Sequence, residues 1–198
     1  MHSSVVLLLI AQAASQAQPL SVEVIQDRIA DRYRDWETYR AQVLMVREER
    51  GSMKRREGWC AARSTPPAIK CKTDKHVVFE DDQGFVVHEF DGRTVSGPTD
   101  RPFARDYYFL FLDSFSLLGS DLDFEMIELD GDYVEMKARV LAGRVVTFGI
   151  DAKTGRVMRA QVEFGQHISS SIFFTQETLN DDLIDSDISE PLIPTTED

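Results

Sequence analysis

The stretch DFEMIELDGDYVEMKARV, residues 123–140, alternates apolar and polar side chains on both sides of a central Asp130–Gly131 pair. Alternation with a period of two predicts β-strands, and Asp-Gly is a residue pair that two-residue hairpin turns favour. We therefore predict a β-hairpin with one apolar and one polar face. After the turn, the apolar face carries Val134, Met136, Ala138 and Val140.

The same pattern extends in both directions along the chain. Residues 143–165 alternate around Thr154–Gly155, and residues 38–97 contain further short strands, two of them separated by Asp91–Gly92. About ten consecutive strands with one apolar face form an antiparallel meander that curls strongly, because twist accumulates from strand to strand. The predicted fold class is mainly β (α+β): a strongly curved antiparallel sheet that forms an unclosed barrel, with helices covering its concave side.

Two segments interrupt the strand pattern. Residues 20–36 have Val22, Ile25, Ile29 and Tyr33 at helical spacing, which predicts an amphipathic helix with Ser21 as its N-cap. Residues 103–118 are apolar on nearly every side, and this segment is too short for a bilayer, which needs roughly 20 apolar residues. A helix of this kind must be buried on more than one side. We predict that it forms a lid over the concave face.

Composition and charge limit the possible partners. The chain has 198 residues and a formal net charge of -12, which argues against binding to nucleic acid or to anionic lipid headgroups. Residues 47–56 are locally basic, and the tail, residues 181–198, is acidic. A solvated surface is the first interpretation of both runs, and a docking patch is the alternative.

The N-terminus combines a short apolar run, residues 5–10, with small residues that suit a signal peptidase. We predict a secretory signal at residues 1–17, a folded domain at 18–180 and an acidic tail at 181–198. A docked N-terminal helix is the alternative to the signal. No other segment of the sequence could span a membrane.

The two cysteines, Cys60 and Cys71, lie almost symmetrically about a turn signal, STPP. A hairpin would place them on facing strands, and an even number of cysteines in an exported chain predicts a disulfide. Two buried free thiols are the alternative. The sequence indicates no metal site, no catalytic residues and no cofactor, because its four histidines lack ligand spacing and no nucleophile or phosphate-binding motif occurs.

The order of these parts resembles the LolA family of periplasmic lipoprotein carriers. The resemblance rests on YRAQVLMVREERGSMKRREGWCAARSTPPAIKCK, VVFEDDQGFVVHEFDGRTV, YYFLFLDSFSLLGSDLDFEMIELDGDYVEMKA and GRVVTFGIDAKTGRVMRAQVEFGQHISSSIFF. It implies an unclosed barrel with a helical lid, acylated lipoproteins or lipids as partners, an inner-membrane exporter and an outer-membrane receptor. It also implies that Arg63, close to the hairpin prolines, holds the lid.

The leading hypothesis is therefore a periplasmic, monomeric carrier that binds acyl chains in an apolar cavity and transfers them between membranes. An envelope sensor of lipoproteins on the same fold is the alternative. An enzyme acting on lipid and a purely structural domain are further possibilities, and the sequence offers no nucleophile for the enzyme. The predicted cavity residues are Val43, Met45, Tyr108, Phe111, Leu112, Phe115, Met136, Val162 and Phe164.

Overall fold

The computed structural model describes residues 20–97, 122–140, 144–165 and 167–189. These residues form one strongly curved antiparallel sheet of 11 strands, which does not close into a barrel, and two short helices. The strand order is β6-β5-β4-β3-β2-β1-β11-β10-β9-β8-β7. In chain order the elements are α1 (Val22–Tyr33), β1 (Thr38–Glu49), β2 (Ser52–Arg63), β3 (Ala68–Thr73), β4 (His76–Asp81), β5 (Phe85–Glu89), β6 (Thr94–Gly97), β7 (Glu125–Asp130), β8 (Tyr133–Arg139), β9 (Val145–Asp151), β10 (Arg156–Phe164), β11 (Ile168–Leu179) and α2 (Asp182–Ser189).

The order of the strands divides the sheet into two meanders. β1–β6 form one and β7–β11 form the other, and pairing between β1 and β11 joins them in the middle of the sheet. The free edges are β6 and β7. Residues 98–121, which connect these two edge strands in the chain, lie outside the described residues, as does the whole predicted lid at 103–118.

The first helix forms where the sequence predicts it. The Ser21 hydroxyl caps α1 by accepting a hydrogen bond from the Val24 amide at 3.4 Å. Ile25, Ile29 and Tyr33 follow at helical spacing and are buried against the concave face of the sheet. The β9–β10 loop packs closely on the helix, because a Cβ atom added at Gly155 would lie 2.4 Å from the Arg28 carbonyl oxygen.

The predicted hairpins and the disulfide are confirmed. Asp130 pairs with Tyr133, so the turn consists of Gly131, with a φ of 62°, and Asp132, one position later than the predicted pair Asp130–Gly131. Cys60 and Cys71 lie directly opposite each other on β2 and β3, and they form a disulfide. The predicted signal at residues 1–17 lies outside the described residues and stays a prediction.

The alternation of buried and exposed side chains is broken near the start of β10. Strict alternation places Met158 with Ala160 and Val162, but Met158 is 40% exposed and Val157 is fully buried. The register of β10 against β9 shifts between Val157 and Arg159. This irregularity moves the side chains before it to the opposite face, because the period of a strand is two residues.

The interpretation of the acidic tail as a wholly solvated run is also wrong for its first part. Residues Asp182–Ser189 form α2, and Ile184 and Ile188 are each only 2% exposed. These two isoleucines pack on Ala61 and Ala68, which lie on the convex face of β2 and β3. The isoleucines are four residues apart, so they share one side of the helix.

Candidate ligand-binding face

The concave face of the sheet is apolar across most of its width. Side chains from β1–β5 and β8–β11 form a single buried cluster with α1 on this face. Among the predicted cavity residues, Val43, Met45, Met136 and Val162 belong to this cluster, and Phe164 packs against it half-buried. Their shared face is therefore as predicted, and their contact with a ligand stays a prediction. The other predicted cavity residues, which lie outside the described part of the chain, are Tyr108, Phe111, Leu112 and Phe115.

This apolar face is wider than the described helix that packs on it. Nine strands at a spacing of about 4.8 Å cover roughly 40 Å, whereas a helix of 12 residues is about 18 Å long. α1 therefore covers only part of the face.

The apolar rows also reach solvent at both free edges of the sheet. Val95 on β6 pairs with Val87, and Met126 on β7 pairs with Met136, so both edge residues point to the concave side. Val95 remains 38% exposed and Met126 36% exposed, although the rows between them are buried. The concave face is therefore accessible from the edges where the barrel is open.

A polar cluster fixes α1 to the sheet. Glu177 on β11 has a side chain that is only 2% exposed, and it forms ion pairs with Arg32 at 3.0 Å and with Arg156 at 3.2 Å. The Tyr33 hydroxyl donates to the Glu177 carboxylate at 3.3 Å and accepts from the Val157 amide at 3.3 Å. Burial, and then the negative charge of Glu177, raise the pKa of Tyr33 to about 12. The phenol is therefore neutral at physiological pH.

Arg63, the predicted lid latch, lies at the end of β2. Its Nε donates a hydrogen bond to the Pro66 carbonyl oxygen at 3.0 Å, within the same hairpin. Since the predicted lid lies outside the described residues, the role of Arg63 as a latch stays a prediction.

The convex face carries a second, smaller cluster that the sequence analysis did not identify. Lys70 on β3 is only 1% exposed, and its ammonium group donates to the Asp187 carbonyl oxygen near the end of α2 at 3.1 Å. Cations that bind the last carbonyl groups of a helix interact favourably with its dipole. Arg40 lies over the Trp59 ring at 5.3 Å and pairs with the Asp187 carboxylate at 3.0 Å. These contacts hold α2 on the outside of the sheet.

The described residues lack two features, a cluster of metal-binding side chains and a membrane-spanning helix. No three His, Cys, Asp or Glu side chains in that part of the chain are grouped so that they could hold a metal ion. No helix in the same ranges is long and apolar enough to cross a membrane.

No protein-family model matches the chain, and no curated protein sequence matches it. Solved structures do resemble it. The crystal structure of an uncharacterized conserved protein from Thermus thermophilus has a TM-score of 0.52 and 11% identity, over 82% of this chain and 89% of that chain. At this identity the likeness concerns the fold alone.

Two further structures resemble the chain at lower TM-scores. The Mycobacterium tuberculosis lipoprotein LppX has a TM-score of 0.49 and 12% identity, covering 79% of this chain and 94% of that chain. A LolA superfamily protein from Nitrosomonas europaea has a TM-score of 0.39 and 7% identity, covering 82% and 94%. The predicted fold class, a strongly curved and unclosed antiparallel sheet, is confirmed. The broad concave face of this sheet is the candidate ligand-binding site, since it combines an apolar surface with open edges.

Proposed function

We propose that this protein binds the acyl chains of lipoproteins or related lipids on its concave face and carries them between membranes of the cell envelope. The observation that supports this most is the apolar concave face, which is wider than α1 and reaches solvent at Val95 and Met126. The confirmed fold class and the resemblance seen in the sequence agree with it.

The energetics suit this role. Burying a CH₂ group contributes about 0.8 kcal/mol, so an acyl chain of about 16 carbons gains on the order of 10 kcal/mol in an apolar site. Such a ligand needs a wide apolar surface rather than precisely placed polar groups. Binding of this kind depends on many side chains together and requires no catalytic residue.

A periplasmic location is part of the proposal. The Cys60–Cys71 disulfide supports it, because disulfides persist in oxidising compartments and are rare in the cytosol. We further propose that the protein acts as a monomer between an inner-membrane exporter and an outer-membrane receptor.

Purification from membrane-containing cells, followed by lipid extraction and native mass spectrometry, tests the binding step. We expect bound lipid or acylated peptide. A second assay measures transfer of an acylated lipoprotein from the purified protein to acceptor membranes. Binding with transfer identifies a carrier, whereas binding without transfer favours the sensor. Recovery of no acylated ligand, together with no uptake in vitro, would contradict both.

A pair of adjacent substitutions at the free edge tests where the ligand enters. Val95→Glu places a charge on the concave side of β6, whereas Ser96→Glu places the same charge on the convex side. Both positions are exposed, so neither change should prevent folding. We expect Val95→Glu to weaken acyl-chain binding and Ser96→Glu to leave it unchanged. Equal affinities in the two variants would rule out this edge as part of the site.

A further inference from the structure

The concave face is not apolar along its whole length on β1 and β2. Beyond Met45 the concave positions of these strands become cationic, at Arg47, Lys54 and Arg56, which we call the cation row. Met45 pairs with Arg56, and Arg47 pairs with Lys54. The cation row therefore continues the apolar surface directly, since paired side chains of an antiparallel ladder lie about 5 Å apart.

The turn between the two strands fixes which side chains point inward. Glu49 pairs with Ser52, and the two residues between them, Arg50 and Gly51, have φ values of 51° and 81°. Positive φ at both central residues is the type I′ geometry that matches the twist of a hairpin. Because the register is set in this way, Lys54 and Arg56 face the concave side, and the intervening Arg55 faces the convex side.

Carboxylates surround one end of the cation row, because Asp74, Glu89 and Asp91 line the same depression as Arg56. At the other end, cations outnumber carboxylates: Arg47, Arg50 and Lys54 line a depression together with Glu49. Glu49 pairs with Arg47 at 3.5 Å, and Glu89, on β5, forms an ion pair with Arg93. Lys54 forms no ion pair within the described part of the chain. This end of the row is locally positive. The net charge of -12 of the whole chain argues against a general attraction to anionic lipid headgroups, but not against one local site.

A histidine rather than a carboxylate contacts Arg56. The Arg56 guanidinium lies 2.6 Å from Nδ1 of His76. Burial of His76, and then the positive charge of Arg56, lower the pKa of the imidazole. His76 is therefore neutral at pH 7, and it leaves the charge of Arg56 in place.

A depression of about 300 Å³ lies at the end of the cation row. Its lining is Arg47, Glu49, Arg50, Ser52 and Lys54. This volume is at the lower end of the range for small-molecule sites, and it suits a charged headgroup rather than an acyl chain. Arginine and lysine side chains together are the usual protein partners of phosphate and carboxylate groups.

We propose that the ligand is an anionic amphiphile, whose acyl chains lie on the apolar concave face and whose phosphate or carboxylate group binds at the cation row. This inference rests on the proposed function, since it names the class of lipid that the same face takes. The apolar surface supplies most of the affinity, and the cation row selects negatively charged headgroups.

Two lipids with the same acyl chains test the selection. Affinities for dioleoyl phosphatidylglycerol and dioleoyl phosphatidylcholine, delivered as single molecules from cyclodextrin, can be measured by native mass spectrometry and by displacement of a fluorescent lipid. We expect the anionic lipid to bind at least about fivefold more tightly, because one basic residue near an anionic lipid contributes about 1 kcal/mol. Equal affinities would overturn the inference and leave the proposed function standing. Failure of both lipids to bind would overturn both.

Two neighbouring substitutions provide the matched comparison. Lys54→Glu and Arg55→Glu change the net charge equally, on adjacent exposed residues of one strand, but on opposite faces. We expect Lys54→Glu to reduce the preference for phosphatidylglycerol to about twofold or less, and Arg55→Glu to preserve it. The readout is the ratio of the two affinities in each variant. Equal loss in the two variants would show a non-specific effect of charge and would overturn the inference.

Two further measurements test whether the cation row binds a free phosphate compound or a membrane surface instead of the headgroup of a bound lipid. Glycerol phosphate without acyl chains should bind far more weakly than the intact lipid, and comparable binding would identify a small phosphate ligand instead. Co-sedimentation with phosphatidylglycerol vesicles tests docking on a membrane surface. If Lys54→Glu reduced co-sedimentation but not the complex with single lipid molecules, the cation row would bind membranes rather than the ligand's headgroup.

Discussion

The two faces of the sheet are covered in different ways. On the convex face, α2 buries a small patch, and the helix matches that patch in size: Ile184 and Ile188 pack on Ala61 and Ala68. On the concave face, α1 packs on an apolar surface that extends over nine strands. The apolar patch on the convex face is buried beneath α2. The apolar surface on the concave face, in contrast, is larger than the area that α1 covers.

The polar contacts of the two helices differ as well. α2 is held by a buried cation, Lys70, at its C-terminal end, whereas α1 is held by a buried carboxylate, Glu177. The contacts of Glu177 and Tyr33 that hold α1 lie on β10 and β11, at one side of the concave face. The apolar rows of β2–β5 lie at the other side of this face, and their side chains are also buried. The proposed function assigns this wide apolar surface, which exceeds the length of α1, to the acyl chains.

The largest effect on stability is expected at the contact between α2 and the convex face. Ile184→Ala removes methyl groups from the contact beneath α2 and should lower the free energy of unfolding by about 2–4 kcal/mol, because it leaves a cavity. Denaturant titration measures this loss. Acyl-chain binding should stay unchanged, since the substitution lies on the convex face. A parallel loss of binding would show that the two faces are coupled and would break the comparison.

A smaller effect is expected at the polar contact of α1. Glu177→Gln should cost about 2–3 kcal/mol of unfolding free energy, since it leaves Arg32 and Arg156 without their carboxylate, although both are about 30% exposed. Glu135 is the matched control on the convex face, because it also accepts from a tyrosine, at 2.8 Å, and pairs with an arginine, at 3.0 Å. Thermal denaturation of Glu177→Gln and Glu135→Gln should rank them in that order. Equal losses of stability in the two variants would contradict the expectation that Glu177, the more deeply buried carboxylate, contributes more to stability.

The disulfide lies on the concave side of the same strands that α2 covers from the outside. Replacing both cysteines, Cys60→Ala with Cys71→Ala, should lower the stability by about 2–3 kcal/mol, because the bridge closes a loop between residues only 11 apart. The wild-type protein should lose the same amount when it is reduced, and the variant should not respond to reductant. A stability that reduction leaves unchanged would contradict the prediction.

The smallest effect concerns pH. The unfolded chain ionises its tyrosines near pH 10, whereas the pKa of Tyr33 in the folded protein is about 12. The contribution of Tyr33 is therefore fully present below about pH 10 and is lost at roughly 1.4 kcal/mol per pH unit as the pH rises towards 12. Tyr33→Phe should flatten this part of the curve of stability against pH. Since burial also raises the pKa of Tyr39, only the difference between the two proteins isolates Tyr33.

Much of the fold could be predicted because its signals are local. Asp130–Gly131 marks a turn whatever the rest of the chain does, and alternation then places Met136 on the concave face. The facing cysteines could be predicted for the same reason, since the turn between them sets the register of β2 against β3. The burial of Val43, Met45 and Val162 followed from the same alternation.

The features that the sequence analysis missed depend on distant parts of the chain. The irregularity at Val157 lies where its amide bonds to Tyr33, on a helix far away in sequence. The burial of Lys70 depends on α2, which packs on β3 from the other end of the chain. One local signal was present: Ile184 and Ile188 have helical spacing within the acidic run. The cation row could be assigned to the concave face only once the turn at Arg50–Gly51 had fixed the register.

The pairing of β1 with β11 has a consequence for folding kinetics. Each meander consists of hairpins between neighbouring strands, which form rapidly because their loops are short. The seam between β1 and β11 joins the beginning of the domain to its end, as when Tyr39 pairs with Leu179. We therefore expect the two halves to assemble early and the seam to form late, so that substitutions along the seam mainly accelerate unfolding.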